Sequence, residues 1–240
     1  MNSAAHPPVA ERDGNMLLAA LPPQEMARVL PLLEHVMVEA GQVLCEAGEP
    51  IEHIYFPHDC LVSLLGVAEG RMTLEVGQVG REGMLGVTAG LGHDMAQVRA
   101  VVQRAGSASR MDGARFRREV EHNPALQQVL YRYTEALLAQ AIQIAVCSRF
   151  HVLEARLARS LLVTRDRLRS NRFHLTHEFL AHALGVRRVG VTKAASALQQ
   201  QGLIDYSRGN IEIRDPDGLA AAACTCYRIV RQAGALDARA

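Results

Sequence analysis

"EFLAHALGVRRVGVTKAASALQQQGLIDYSRGNIEI", residues 178–213, carries two stretches of helical periodicity divided by Gly185 and followed by a hairpin signal. Thr176 stands where an N-cap belongs, with Glu178 in the first turn to complement the helix dipole. Leu175 and Leu180 hold the positions of a hydrophobic staple across that cap. The first helix lasts two turns, to Leu184. Gly185 then supplies the positive φ of a sharp turn, Val186 plugs the angle between the helices, and small Ala181 lets them cross closely. In the second helix Val191, Ala194 and Leu198 recur at inward spacing. That spacing leaves Arg187, Arg188, Val189, Thr192, Lys193 and Ser196 on the outer face. Gly190 weakens this helix by about 1 kcal/mol, either to admit a close approach of DNA or as a tolerated feature. GLIDY and IEIRD flank the turn signal SRGN, which predicts a two-stranded wing with Arg208 at its tip.

An outer face of this composition suits double-stranded DNA. Arginine pairs bidentately with guanine O6 and N7, hydroxyls such as those of Thr176, Thr192 and Ser196 reach phosphate or base edges, and a helix N-terminus favours phosphate. Arg208 in the wing reaches only backbone, and Lys193 is the only lysine of the chain. The formal net charge is +1, yet residues 1–150 hold 12 arginines against 17 carboxylates, whereas residues 151–214 hold 11 basic residues against 5 acidic ones. A basic C-terminal third points to a polyanion; charge alone leaves a merely solvated face open.

At 240 residues, 49% of them apolar, the chain is expected to form two modest domains. No apolar run approaches a membrane span, and MNSAAHPPVAERDGN lacks the order of a secretory signal, so a cytoplasmic protein with no membrane partner is expected. Cys45, Cys60, Cys147, Cys224 and Cys226 include no CxxC pair, and their odd number fits reduced thiols. Cys224-x-Cys226 reads as too sparse for a zinc or iron–sulfur site. Cys147 reads as an inert buried thiol or a redox switch, and His174, His177 and His182 as polar surface. The expectation is therefore no metal and no cofactor.

Residues 1–15 read as a tail, with a short helical lead-in after it at Met26, Val29, Leu30 and Leu33. Between Val36 and Ala114 short apolar runs alternate with Gly, Pro and Asp punctuation, which predicts an antiparallel roll interrupted at REGMLGVTAGLG by a tight loop with one helical turn. From Pro124, capped by Asn123, the helical period holds to about Ser148. Such a helix covers its own roll or meets a second copy. The second is the expectation, with Leu126, Leu130, Tyr133, Leu137 and Ile144 as the seam of a homodimer. Residues 151–168 predict another helix with its leucines inward and its arginines outward. The organisation is thus α+β: a roll over 16–123, a dimerisation helix over 124–150, a winged helix-turn-helix over 151–228 and a tail over 229–240.

AGQVLCEAGEPIEHIYF, REGMLG, the long central helix, and LTHEFLAHALGVRRVGVTKAASALQQQGLI with its wing make the chain resemble the Crp/Fnr family of bacterial transcription regulators over about residues 16–228. The resemblance implies a cyclic-nucleotide-binding-type roll, a homodimer along the central helix, a two-fold symmetric DNA site, and RNA polymerase as a further partner. It also exposes departures. Family members that bind cyclic nucleotides usually open a phosphate cassette with Gly-Glu-Leu/Ile and close it with Arg-Ser/Thr. Here Met84 follows Gly83, and Asp94 and Met95 fall where the arginine and the hydroxyl belong. A carboxylate repels a phosphate that a guanidinium would clasp. The implied effector pocket comprises Arg81, Glu82, Gly83, Met84, Asp94 and Arg99, for an unknown small molecule that is not expected to be cyclic AMP. Val189 sits where many relatives carry a base-reading glutamate, so their operator cannot be borrowed. No nucleophile elbow, P-loop, paired carboxylates or metal motif marks an enzyme. The alternatives are a cyclic-nucleotide-responsive regulator or the non-catalytic regulatory subunit of an enzyme.

Overall fold

Strand-period and helix-period segments separate along the chain in the computed structural model, which describes residues 14–69 and 72–234. Most of the expected tail over 1–15 lies outside these residues, but its last residue is an anchor. Asn15 is buried, its side-chain oxygen caps α1 (Met16–Ala19), and its amide donates to Pro57 O at 3.0 Å and Gly83 O at 2.7 Å. Then α2 (Pro23–Val29) completes the helical lead-in.

The roll consists of two antiparallel sheets. One orders β1 (Glu34–Val38), β7 (Gly106–Asp112) and β3 (His53–Pro57); the other orders β2 (Val43–Cys45), β6 (Arg99–Arg104), β4 (Leu61–Val67) and β5 (Thr73–Val79). Alternating residues such as Val38, Val62, Val79 and Val102 form one core. Phe56, Met84, Phe116 and Leu130 form another beneath the helices. Within REGMLGVTAGLG a 3-10 turn over Val87–Leu91 is flanked by Gly86 and Gly92, with φ of 83° and 84°, conformations that favour glycine. The sequence did not announce α3 (Gly113–His122), which is capped by Asp112 and seats Phe116 and Val120 in the core.

The central helix α4 (Pro124–Phe150) has 27 residues, and the Asn123 side chain accepts from Leu126 N at its start. At 1.5 Å per residue it is about 40 Å long. Its packing corrects the expected seam. Leu126, Leu130, Tyr133 and Ile144 are each at most 5% exposed, and Leu137 packs half-buried against the roll. The apolar residues that α4 leaves uncovered are Tyr131, Leu138, Ile142, Val146 and Phe150, 41–73% exposed.

Beyond it, α5 (Leu153–Leu168), α6 (His177–Leu184) and α7 (Arg188–Gln200) enclose a separate core with Leu157, Leu161, Leu180, Val191 and Leu198. The wing has three strands, not two: β8 (Arg172–His174) joins β10 (Asn210–Ile213), which pairs with β9 (Ile204–Ser207). The arginines of α5 do not all face outward. Arg156 and Arg159 are 9% and 7% exposed. Arg156 donates to Leu184 O, satisfying a carbonyl at the end of α6. Two helices, α8 (Pro216–Ala222) and α9 (Cys226–Gly234), finish the described chain. The expected tail from residue 229 therefore begins as helix, packed against α4; residues 235–240 lie outside the described residues.

Candidate nucleic-acid interface

The turn between α6 and α7 is built as its residues dictate. The Thr176 hydroxyl accepts from Phe179 N at 3.1 Å, and Gly185 closes α6 with φ 62°. Val191, Ala194 and Leu198 of α7 are buried, so Arg187, Arg188, Val189, Thr192, Lys193 and Ser196 share its exposed side. Gly190 faces inward, not toward DNA: a Cβ there would come within 3.0 Å of Leu153 Cδ2, so its absence lets α5 and α7 pack closely. At the wing tip Arg208 is exposed in the left-handed region, φ 50°, before Gly209 at φ 86°.

Two of the three hydroxyls expected to reach DNA are already engaged. Thr176 caps α6, and the Thr192 hydroxyl lies 3.0 Å from His177 Nδ1 and 3.1 Å from Arg188 O. With the hydroxyl donating to that carbonyl, His177 Nδ1–H donates to the hydroxyl oxygen, which leaves Nε2 as a buried lone pair without a partner. The ring stacks on Tyr206 at 4.1 Å between centroids. Burial first, and the nearby Arg188 charge second, hold the His177 imidazole below the usual histidine pKa. His177 thus braces the recognition face instead of lying on polar surface as its sequence context suggested.

Cations sort into two groups. Arg165, Arg167, Arg172 and Arg214 are in ion pairs, whereas none of the ion pairs among the described residues uses Arg187, Arg188, Lys193 or Arg208. The second group occupies the start of α7 and the wing tip, with the positive end of the α7 dipole beside it.

The residues expected to form an effector pocket are dispersed. Arg81 and Glu82 line a cleft of about 370 Å³ between the roll, α5 and α9, with Arg167, Arg169 and Arg231 across it. Met84 is buried in the core, and Tyr133 covers this stretch, its hydroxyl donating to Met84 O at 2.8 Å. A Cβ on Gly83 would strike the same ring. Asp94 lies at the surface 3.7 Å from Arg117, and Arg99 lies 3.3 Å from Glu46. Cys224 and Cys226 are not a sparse pair by themselves, because Cys147 and His151 of the α4 end stand beside them.

A two-sheet roll, a long connecting helix and a winged helix-turn-helix define a modular, nucleic-acid-binding class of protein. Residues 155–222 match the family model described as the Crp-like helix-turn-helix domain. No curated protein matches the chain in sequence. Among solved structures, the chain is similar to a putative Crp/Fnr-family transcriptional regulator from Eubacterium rectale at TM-score 0.69 and 16% identity, covering 86% of this chain and 96% of that one. It is similar to a Crp/Fnr-family transcriptional regulator from Thermus thermophilus at TM-score 0.66 and 25% identity, covering 79% and 98%. FixK2 from Bradyrhizobium japonicum superposes at TM-score 0.67 and 14% identity, covering 80% and 98%. The chain carries a Crp-like helix-turn-helix domain on the fold of the Crp/Fnr regulators. No helix among the described residues is long and apolar enough to cross a membrane.

Proposed function

We propose that the protein is a sequence-specific, non-catalytic transcription regulator that binds a two-fold symmetric DNA site as a homodimer in the cytoplasm. The observation that carries this reading is the exposed start of α7, where Arg187, Arg188 and Lys193 face solvent outside any ion pair among the described residues. Arg188 reads base edges, Thr192 and Ser196 present small groups to the groove wall, and Arg187, Lys193 and Arg208 engage phosphate. Thr176 acts by holding the N-terminus of α6 in place, which positions its backbone N–H groups toward phosphate.

The homodimer forms along α4, through the uncovered stripe of Tyr131, Leu138, Ile142 and Val146, not through the residues that α4 commits to its own roll. Residues three, four and seven apart lie on one helix face. A parallel pair of such helices is self-complementary, and it presents two α7 helices to half-sites about one helical turn apart. RNA polymerase is the partner that such a regulator addresses, and the roll answers to a small effector other than cyclic AMP.

Selection of binding sites from random duplexes tests the reading. A palindromic preference is expected, and Arg188→Ala should relax it at one base pair per half-site, at a cost of about 1–3 kcal/mol. Wild-type base preference at every position in that variant would refute the assignment of Arg188.

A further inference from the structure

Cys147 and His151 stand four residues apart at the C-terminal end of α4, a spacing that puts both on one side of the chain. Cys224 and Cys226 bracket the entry into α9. The three sulfurs and one imidazole nitrogen all lie within 4.8 Å of one another. Cys147 Sγ is 3.4 Å from Cys224 Sγ, and Cys226 Sγ is 3.4 Å from His151 Nδ1. The cysteines are buried and the histidine is half-buried. We propose that these four side chains are the ligands of a single tetrahedral metal ion of the zinc class, a Cys3His site that fastens the end of α4 to α9.

The geometry separates this reading from its rivals. Zinc–sulfur bonds of about 2.3 Å and zinc–nitrogen bonds of about 2.0 Å set tetrahedral ligand atoms about 3.5–3.8 Å apart. The observed cluster brackets that value, so shifts of about 1 Å would complete the shell. A disulfide between Cys147 and Cys224 would use two of the four groups and give no reason for His151 to turn its Nδ1 toward Cys226. An iron–sulfur cluster spreads its thiolates around several irons and inorganic sulfides, farther apart than one ion does.

The surroundings fit the charge. Three thiols give up their protons to solvent as the ion binds, so three thiolates around a divalent cation leave a net charge of −1 in a buried place. Arg159, 7% exposed, lies close enough for its charge to act on Cys147, and its Nε is buried without a hydrogen-bond partner. That guanidinium is the counter-charge the site requires. Gln143 Nε2 lies 2.9 Å from Cys226 Sγ, a second donor that orients a thiolate. All four ligands come from the protein, so the site is closed and structural, and it joins the segment after the wing to the central helix.

The test uses the untagged full chain, reduced, stripped with a chelator and titrated with Zn²⁺ or Co²⁺ under anaerobic conditions. About one equivalent should bind per chain, and Co²⁺ should give the intense visible bands of tetrahedral coordination with sulfur-to-cobalt charge transfer in the near ultraviolet. Cys224→Ser and His151→Ala should lose or alter those bands, Gln143→Leu should weaken affinity about 10- to 100-fold, and Cys60→Ser, in the roll, should change nothing. The cobalt spectrum is read on the unaltered chain, so a variant that misfolds does not decide the matter. Sub-stoichiometric binding with octahedral or no bands would overturn the site. Iron with acid-labile sulfide, or a Cys147–Cys224 disulfide that forms equally fast with the ion present, would overturn it too.

Discussion

Glutamate at both Leu138 and Ile142 should convert the proposed homodimer to monomer while leaving each subunit folded. In a single subunit these side chains are 60% and 56% exposed, so more than half of each remains to be covered by a partner. Complete burial of a leucine or isoleucine contributes about 1.5–3 kcal/mol, so the uncovered share amounts to about 1–1.7 kcal/mol each. Across the two-fold axis four side chains contribute, about 4–7 kcal/mol in total. At 1.4 kcal/mol per tenfold, the dimer dissociation constant should rise by roughly three to five orders of magnitude, before counting repulsion between the new carboxylates. Leu130 offers the contrast. At 1% exposure it belongs to the roll's core, and Leu130→Ala should lower thermal stability by about 2–5 kcal/mol through the cavity it leaves. Sedimentation velocity over a concentration series, with circular dichroism as a fold check, reads both. A Leu138→Glu/Ile142→Glu protein that stays dimeric at micromolar concentration refutes the stripe, as does a wild-type chain that sediments as a monomer throughout.

Removing the wing-tip cation with Arg208→Ala should weaken binding to all duplexes alike and reduce the slope of log affinity against log salt by about one; a change in base preference would argue against a phosphate contact. Cyclic AMP and cyclic GMP should show no micromolar binding by calorimetry, because Tyr133 covers the Gly83–Met84 backbone and Asp94 pairs with Arg117 at the surface; micromolar heats with either nucleotide would contradict this. His177 has a folded-state pKa below its unfolded value of about 6.5, so its contribution to stability is complete above that pH and is lost as pH falls toward the folded value. Chemical denaturation between pH 7 and 5 should show a steeper loss in the wild type than in His177→Gln, and parallel curves would remove His177 from the account.

Where local chemistry decides structure, the sequence was readable. Thr176, Gly185 and the inward Val191, Ala194 and Leu198 specify the helix pair through capping, turn and period alone. Strands with alternating apolar residues were legible too. What escaped depended on partners distant in sequence. The segment GSASRMD has no apolar run, and it becomes β7 because β1 and β3 pair with it on both sides. The third wing strand, RFH, likewise exists through its pairing with β10. On α4 the period revealed an apolar face but not that the helix has two. The stronger stripe, Leu126 to Ile144, is held by the subunit's own interior, and the weaker one is exposed. Arginine usually faces outward on such a helix, yet Arg156 satisfies the terminal carbonyl of α6 and Arg159 lies beside Cys147. The four candidate ligands span residues 147 to 226, so no linear spacing brings them together.

Arg167 of α5 donates to Glu82 at 2.7 Å and to Gln140 of α4 at 2.9 Å, and Gln78 Nε2 of β5 reaches Thr164 of α5 at 3.2 Å. The guanidinium is 11% exposed and its carboxylate 17%. A hybrid regulator made by joining this reading head to another roll would keep Arg167 and leave Glu82 and Gln78 behind. An ion stripped of its counter-ion in such a place costs on the order of a few kcal/mol, wherever the splice falls. Glu82, Gln78, Gln140 and Arg167 therefore form one polar network that crosses the apparent modules. A designer exchanging heads has three residues, Gln78, Glu82 and Gln140, to carry over besides the head itself.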